Sequence, residues 1–211
     1  MSKLHISYNQ IHKLISATVD KYQFVENFKP DLIVAIGGGG FIPARILRTF
    51  LKSASDRKNI PIQAIGLNLY EELPTHQDSD EEGVPEKPGQ VVQKTQWLNF
   101  GGSDSLVSLL GRRILIVDEV DDTRKTLAYA VDELRKDIIK QEELRGMKPG
   151  ESNTQIGIFV IHNKNKEKLG VLPEDVMAHY YPAANMDDVW LVYPWDAIDI
   201  DTHTEKAENK Q

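Results

Sequence analysis

The 211 residues contain no cysteine. A disulfide scaffold, a thiolate metal site and a cysteine nucleophile are therefore excluded together. No apolar run approaches the roughly 18 residues a membrane-spanning helix needs, so no membrane association is expected. The amino-terminal MSKLHISYNQIHKL lacks the long apolar stretch and small-residue cleavage site of a secretory signal, and a cytoplasmic enzyme fits. Positive charge is scarce: 25 Lys and Arg stand against 32 Asp and Glu, a net of -7. Most of that imbalance is local, because EELPTHQDSDEEGVPEKP at 71 to 88 holds seven acids and one lysine. No basic face for a nucleic-acid backbone results, and no nucleic-acid partner is expected. The histidines at 5, 12, 76, 162, 179 and 203 have no paired metal spacing, which argues against zinc. GxxxxGK[ST] is missing. GxGxxG fails as well, since its last glycine would fall on Ile42 or Pro43.

Apolar residues make up 40%, ordinary for a globular chain, and no interdomain linker is visible, so 1–211 reads as one domain. Ile11, Leu14, Ile15, Thr18 and Val19 are spaced as one face of a helix over 10 to 25. The compact run Leu32 to Ile36 reads as a buried strand entering four glycines. FIPARILRTFLK then places Phe41, Ala44, Leu47 and Leu51 on one helical stripe, with Pro43 suited to a first turn. IPIQAIGLNLY is a strand candidate, and VVQKTQWLNF a further one beyond the acidic loop. RRILIVDEV is a strand ending in acids, and Thr123 can cap a helix carrying Leu127, Val131, Leu134 and Ile138. QIGIFVIH is another core strand, VWLVYPWD a short run closed by Pro194, and the last ten residues read as frayed. Strands alternating with helices predict an α/β fold with a central, mostly parallel sheet flanked by helices. In such sheets ligands sit beyond the carboxyl ends of the strands. GGGG, DEVDDTRKT and HNK all fall at such ends.

The segment ILIVDEVDDTRKT is the most informative. Paired carboxylates at a strand end can accept hydrogen bonds from a cis-diol such as ribose. The DTRKT turn before a helix offers consecutive amides, two hydroxyls and a positive dipole end to a phosphate. A diol reader joined to a phosphate cradle describes a ribose-5-phosphate site. Gly37 to Gly40 could be only a tight turn, or could present amides to a second anion.

LIVDEVDDTRKT resembles the phosphoribosyl-pyrophosphate motif of the type I phosphoribosyltransferases. Together with HISYNQIHKL, the GGGG segment, TQWLNF, IFVIHNK and YPWD, the resemblance covers nearly the whole chain and narrows to the fungal purine-salvage branch, the hypoxanthine-guanine and xanthine phosphoribosyltransferases. It implies the type I fold with a small hood from parts of 165–205, and a mobile closing loop at about 71–90. It also implies magnesium as cofactor, a homodimer, and transfer of a 5-phosphoribosyl group to hypoxanthine or guanine, with xanthine as the alternative. Asp118 and Glu119 match the pair that holds the ribose hydroxyls, and Asp122 the acid that takes the purine's proton. Asp121, Asp122, Thr123, Arg124, Lys125 and Thr126 match the phosphoribosyl site, and Gly37, Gly38, Gly39 and Gly40 the pyrophosphate loop, with Arg45 a possible cationic supplement or a surface pair. Lys164 matches the donor to the purine six-oxygen, with Lys166 as an alternative register. Trp190 matches the ring that stacks on the base, while Leu191 and Val192 would offer backbone groups to its edge. Asp196, with Asp118 and Glu119, matches the metal-binding acids.

Two departures stand out. Many relatives have Gly where this chain has Arg124, and several have Lys or Arg where it has Gly37. Two rival readings remain on the sequence: a phosphoribosyl-pyrophosphate sensor of the same fold, which would usually add a nucleic-acid-binding module or basic patch, and an enzyme of the same fold acting on a pyrimidine or adenine. The acidic residues Asp78 to Glu86 are expected to face solvent, with the working part of the closing loop around Lys94 to Trp97.

Overall fold

A computed structural model describes residues 3–54, 59–70, 91–97 and 108–209. The acidic segment expected as a closing loop lies outside the described residues. Among those described, a six-stranded sheet forms the centre. Its order is β4 (Val91–Gln96), β3 (Ile62–Tyr70), β2 (Leu32–Gly37), β5 (Arg113–Asp121), β6 (Gln155–Lys164), β7 (Tyr180–Met186). All neighbours run parallel except β3 and β4.

The central strands read as unbroken apolar runs because both of their faces are covered. Leu32, Val34 and Ile36 of β2 join Ile114 and Ile116 of β5 and Ile156, Ile158 and Val160 of β6 on one side. There they pack under Leu127, Val131, Leu134 and Ile138 of α4 (Lys125–Leu144). The alternate residues Ile33, Ala35, Leu115, Val117, Phe159 and Ile161 face the other side. They meet Ile11, Ile15 and Val19 of α1 (Tyr8–Tyr22) and Ala44, Leu47 and Leu51 of α3 (Phe41–Ala54). Helix α1 starts earlier than its apolar spacing indicates because Ser7 and Gln10 form a reciprocal capping box. Gln23, in a left-handed conformation, ends it and leads into the short α2 (Phe24–Asn27).

Three features were not expected. A second, two-stranded parallel sheet pairs β1 (Lys3–His5) with β8 (Trp190–Val192). Strand β7 carries Pro182 and two alanines and survives because it is an edge strand. Of the last ten residues, expected as frayed, those through Glu208 lie in a helix, α6 (Ile200–Glu208), after the 3-10 turn Pro194–Asp196. Asp199 caps α6 by accepting from the amides of Asp201 and Thr202, and buried His203 bonds the Ile6 carbonyl at 2.9 Å through Nε2. This last contact ties the chain end to β1.

One buried carboxylate serves the frame alone. Glu142 near the end of α4 accepts from the amides of Gly150 (2.9 Å) and Ser152 (3.0 Å), closing the turn before β6. Burial opposes its charge, but the Ser152 and Gly150 amides prevail and hold its pKa below the usual value. A depressed carboxylate contributes stability above its unfolded pKa and loses it as pH falls through the folded one. Glu142→Ala should therefore lower urea-unfolding stability at pH 7 by about 1.5–3 kcal/mol. The gap from the parent should shrink below about pH 4.3; a gap constant down to pH 3 would show that the charge contributes nothing.

Candidate active site

Strands β2 and β5 lie side by side, and the chain leaves them in opposite directions: β2 is flanked by β3, β5 by β6. The loops that follow them thus meet at the carboxyl edge of the sheet, where α/β proteins open a crevice. The meeting is close. A side chain on Gly39 would overlap the Glu119 carboxylate, and one on Gly40 would overlap the carbonyls of Val117 and Ile36. Gly39 and Gly40 are required by that approach and not merely by a turn, whereas a side chain on Gly37 would meet Phe41 and one on Gly38 would find open space.

Asp118 ends the continuous buried run of β5, and the half-buried Glu119 follows it. Asp118 Oδ1 accepts from the Glu119 amide at 2.9 Å. Burial, then the neighbouring Glu119 charge, pushes the Asp118 pKa well above the usual carboxylate range. Among the described residues the pair has no ion-pair partner, and it suits a cation or hydroxyl donors. Behind it stands Tyr193, whose hydroxyl donates to the Glu119 carbonyl at 3.2 Å. A hydroxyl has one proton, so its 2.8 Å bond with His162 Nδ1 must run from the imidazole to the oxygen. His162 is therefore a positioning group in a second layer, not a ligand-binding one. Trp195 stacks on Tyr193 with centroids 4.7 Å apart and planes within 6°.

The helix start that follows is open. Arg124, not Thr123, is the N-cap residue of α4, with φ 68°, and no side chain caps the first turn. The expected threonine cap is thereby corrected: helix initiation leaves the amides of Lys125 and Thr126 without a capping side chain, as an anion site requires. The Arg124 side chain does not reach outward. Its Nε and Nη2 lie 2.9 and 2.8 Å from Asp121 Oδ2, and its guanidinium covers the Tyr180 ring at 5.0 Å.

The third strand end brings Lys164 beside the second. Lys164 is 8% exposed, not the solvated surface side chain that a lone lysine usually is. Its Nζ lies 3.4 Å from Asp122 Oδ1 and 3.3 Å from Asp188 Oδ1. Lys166 Nζ closes the quartet at 3.1 and 2.9 Å from the same two acids. Asp188 and then Asp122 hold Lys166 above the ordinary lysine pKa. Trp190 is 57% exposed on β8, so it is not a core residue. In that strand Leu191 pairs with Leu4 and Val192 with His5, and the Val192 carbonyl accepts from Ile6 at 3.0 Å. Asp196 is exposed in the 3-10 turn.

Other candidates are directed elsewhere. Arg45 donates to Thr49 along α3 at 2.8 Å. Lys94 is paired with Glu133, and Trp97 Nε1 donates to Asp137 at 2.7 Å. The stretch expected to work over the site is thus docked on α4. Asp188, Lys168, Tyr180 and Tyr193 were not found by sequence reasoning, because their partners lie 22 to 74 positions away and leave no local pattern.

No family model matches the chain. The chain is 52% identical over 202 residues to a hypoxanthine-guanine phosphoribosyltransferase of Schizosaccharomyces pombe, covering 95% of this chain and 92% of that protein. It is 50% identical over 209 residues to xanthine phosphoribosyltransferase 1 of Saccharomyces cerevisiae, covering 98% and 95%. Among solved structures, a hypothetical protein from Neisseria gonorrhoeae with bound ppGpp superposes with a TM-score of 0.71 at 36% identity, over 100% of this chain and 98% of that one.

Burial drives the His162 pKa down to about 4. Because its folded value lies below its unfolded one near 6.5, the unfolded state binds more protons between those values, and stability should fall as pH drops from about 6.5 to 4. NMR of the imidazole should show neutral His162, protonated at Nδ1, at pH 6. A resonance titrating near 6.5 would contradict the buried relay.

Proposed function

This chain belongs to the hypoxanthine-guanine and xanthine phosphoribosyltransferases, and we propose that it is a purine-salvage enzyme that moves the 5-phosphoribosyl group of phosphoribosyl pyrophosphate onto a 6-oxopurine. The products are the nucleoside 5′-monophosphate and pyrophosphate. One observation carries the reading: an open helix start, an acid pair with Asp118 buried, and a buried lysine meet at adjoining strand ends.

In this reading the 5′-phosphate binds the amides and hydroxyls of Asp122 through Thr126, assisted by Lys125. Asp118 and Glu119 accept from the ribose hydroxyls, and Gly37 to Gly40 offer backbone amides to the pyrophosphate. Lys164 donates to the six-oxygen, a contact that adenine cannot reciprocate, because it has a donor there. Trp190 offers its exposed ring to the base, with Leu191 and Val192 at the base edge; the hood is the β1–β8 pair and the turn after it. As the C1′–N bond forms and the C1′–O bond to pyrophosphate breaks, the attacking nitrogen's proton passes to Asp122. Nothing covalent joins chain and substrate, so positioning and electrostatics supply the catalysis.

The buried Asp118 beside Glu119 fits a cation: these two would hold magnesium, and Asp196, exposed in the 3-10 turn, would lie near a second ion. Among the described residues no group of three or more metal-binding side chains is gathered; magnesium takes one or two carboxylates and completes its shell with water and phosphate. Bound there, it would neutralise charge on the leaving pyrophosphate. The cytoplasm and a homodimer belong to the same reading; among the described residues no helix is long and apolar enough to cross a membrane.

Hypoxanthine and guanine are the preferred bases. The 52% identity to a hypoxanthine-guanine enzyme supports them, and so does a solved relative holding the guanine nucleotide ppGpp. Xanthine is the second reading, supported by the 50% identity to a xanthine enzyme. Steady-state rates with the three bases and phosphoribosyl pyrophosphate test the proposal: turnover is expected with hypoxanthine or guanine, and no turnover with any base would overturn it.

Two substitutions probe the roles. Asp122→Asn keeps the shape but cannot take a proton, and should lower kcat by about 100-fold or more with little change in KM. Lys164→Met should raise the KM for the base by about tenfold or more, reflecting a lost charged hydrogen bond of ~1.5–3 kcal/mol, and leave the KM for phosphoribosyl pyrophosphate unchanged. A variant with parental constants for both substrates would remove Lys164 from base recognition.

A further inference from the structure

Arg124 sits in the left-handed region at φ 68°, a conformation that strains any residue with a Cβ. Something in the surroundings must hold it there. The structure shows what does. Three residues back, Asp121 is 1% exposed, a carboxylate buried at the end of β5. Its Oδ2 accepts from Arg124 Nε at 2.9 Å and from the Tyr180 hydroxyl at 2.7 Å. Its Oδ1 faces Lys168 Nζ at 3.4 Å. The Arg124 guanidinium is bonded along one edge and covered by the Tyr180 ring, a fit that its planar fork allows and an ammonium would not.

The same cluster fixes the backbone of the loop. Lys168 Nζ donates to the carbonyls of Asp121 at 2.7 Å and Asp122 at 2.9 Å. The amides of Leu169 and Gly170 both donate to the carbonyl of Thr123, at 2.9 and 3.1 Å. The Arg124 carbonyl takes the Ala128 amide as α4 begins. Four successive carbonyls are thus held from the protein side. Gly170 is part of the fit, since a Cβ there would overlap the Arg124 carbonyl. With the carbonyls fixed and the helix start uncapped, the amides of the first turn are aimed before any ligand arrives. Preorganised donors of this kind lose little order on binding.

We propose that Arg124, Lys168 and Tyr180 form a clamp around the buried Asp121 that sets the geometry of the 5′-phosphate loop, and that the side chains of Asp121 and Arg124 position the loop without touching the phosphate. The inference rests on the reading of Asp122 to Thr126 as that loop. It assigns Arg124 a role opposite to a direct phosphate contact, and the two roles differ in the sign of one experiment. Asp121→Asn weakens the hold on Arg124. Were Arg124 a phosphate ligand, its release would preserve or tighten phosphate binding; as part of a clamp, its release loosens the loop.

The test is calorimetric binding of guanosine 5′-monophosphate and of guanosine, which lacks the phosphate, to the full chain and its variants. Asp121→Asn and Lys168→Met should each bind the monophosphate about tenfold more weakly, the scale expected when supporting contacts of a site are loosened, and guanosine as the parent does. Arg124→Gly relieves the backbone but leaves Asp121 short of a partner, and should weaken the monophosphate as well. The double variant Asp121→Asn, Arg124→Gly should be no worse than the weaker single one, because the two act as a unit. Should a charge variant fail to fold, Tyr180→Phe keeps the ring and removes only one hydroxyl, and should still weaken the monophosphate selectively. Monophosphate binding equal to or tighter than the parent's in Asp121→Asn would overturn the clamp, as would equal losses for both ligands. A parent chain that does not prefer the monophosphate to guanosine would overturn the phosphate-loop reading itself.

Discussion

Glu119 leaves β5 with its carboxylate pressed against the backbone of Gly39. That contact exists because β2 and β5 are neighbours at the centre of the sheet while their connections diverge. The remainder of the site is arranged around it. Glycines in the first loop remove the side chains that would otherwise fill the crevice, and buried apolar strands hold both loops from beneath. Tyr193 grips the Glu119 carbonyl from behind. A ligand that bridges the two loops meets backbone on one side and carboxylates on the other, which is the division of labour a phosphorylated sugar requires.

Charge is distributed so that like groups are never left alone without reason. Asp121 Oδ2 is bonded to Arg124 and Tyr180, and its Oδ1, which has no hydrogen-bond partner, faces the Lys168 ammonium. Asp122 and Asp188 alternate with Lys164 and Lys166 in a four-membered ring of opposite charges. Asp118 is the exception, a buried acid beside another acid with its charge disfavoured. The group left in electrostatic want lies where ligand hydroxyls and a divalent ion are proposed to bind.

Much of this was legible in the chain. Leu32 to Ile36, Arg113 to Val120 and Gln155 to His162 announce central strands because burial on both faces leaves no alternation to misread. The acids, threonines and glycines of the site lie within short contiguous segments at strand ends, so they could be read locally. Strand β1 could not be read: three residues gain meaning only from Trp190 to Val192, far along the chain. Helix α6 is polar almost throughout and buries little beyond His203 and Ala207, so its cap and one long-range bond decide it, not periodicity. Lys166 could be named only as a register alternative, and Lys168 and Asp188 not at all, because ion pairs between distant segments have no period. The left-handed Arg124 was visible as an oddity, but its inward course depends on Tyr180 across the sheet.

The central claim is that the open start of α4 is where the ribose phosphate is held. A crystal structure of the chain with guanosine 5′-monophosphate tests it most directly. The account predicts phosphate oxygens within hydrogen-bond distance of the Thr123 to Thr126 amides, ribose hydroxyls on Asp118 and Glu119, and the six-oxygen on Lys164 with Asp188 displaced from it. A phosphate bound elsewhere, with the α4 start still empty at saturating nucleotide, would contradict it.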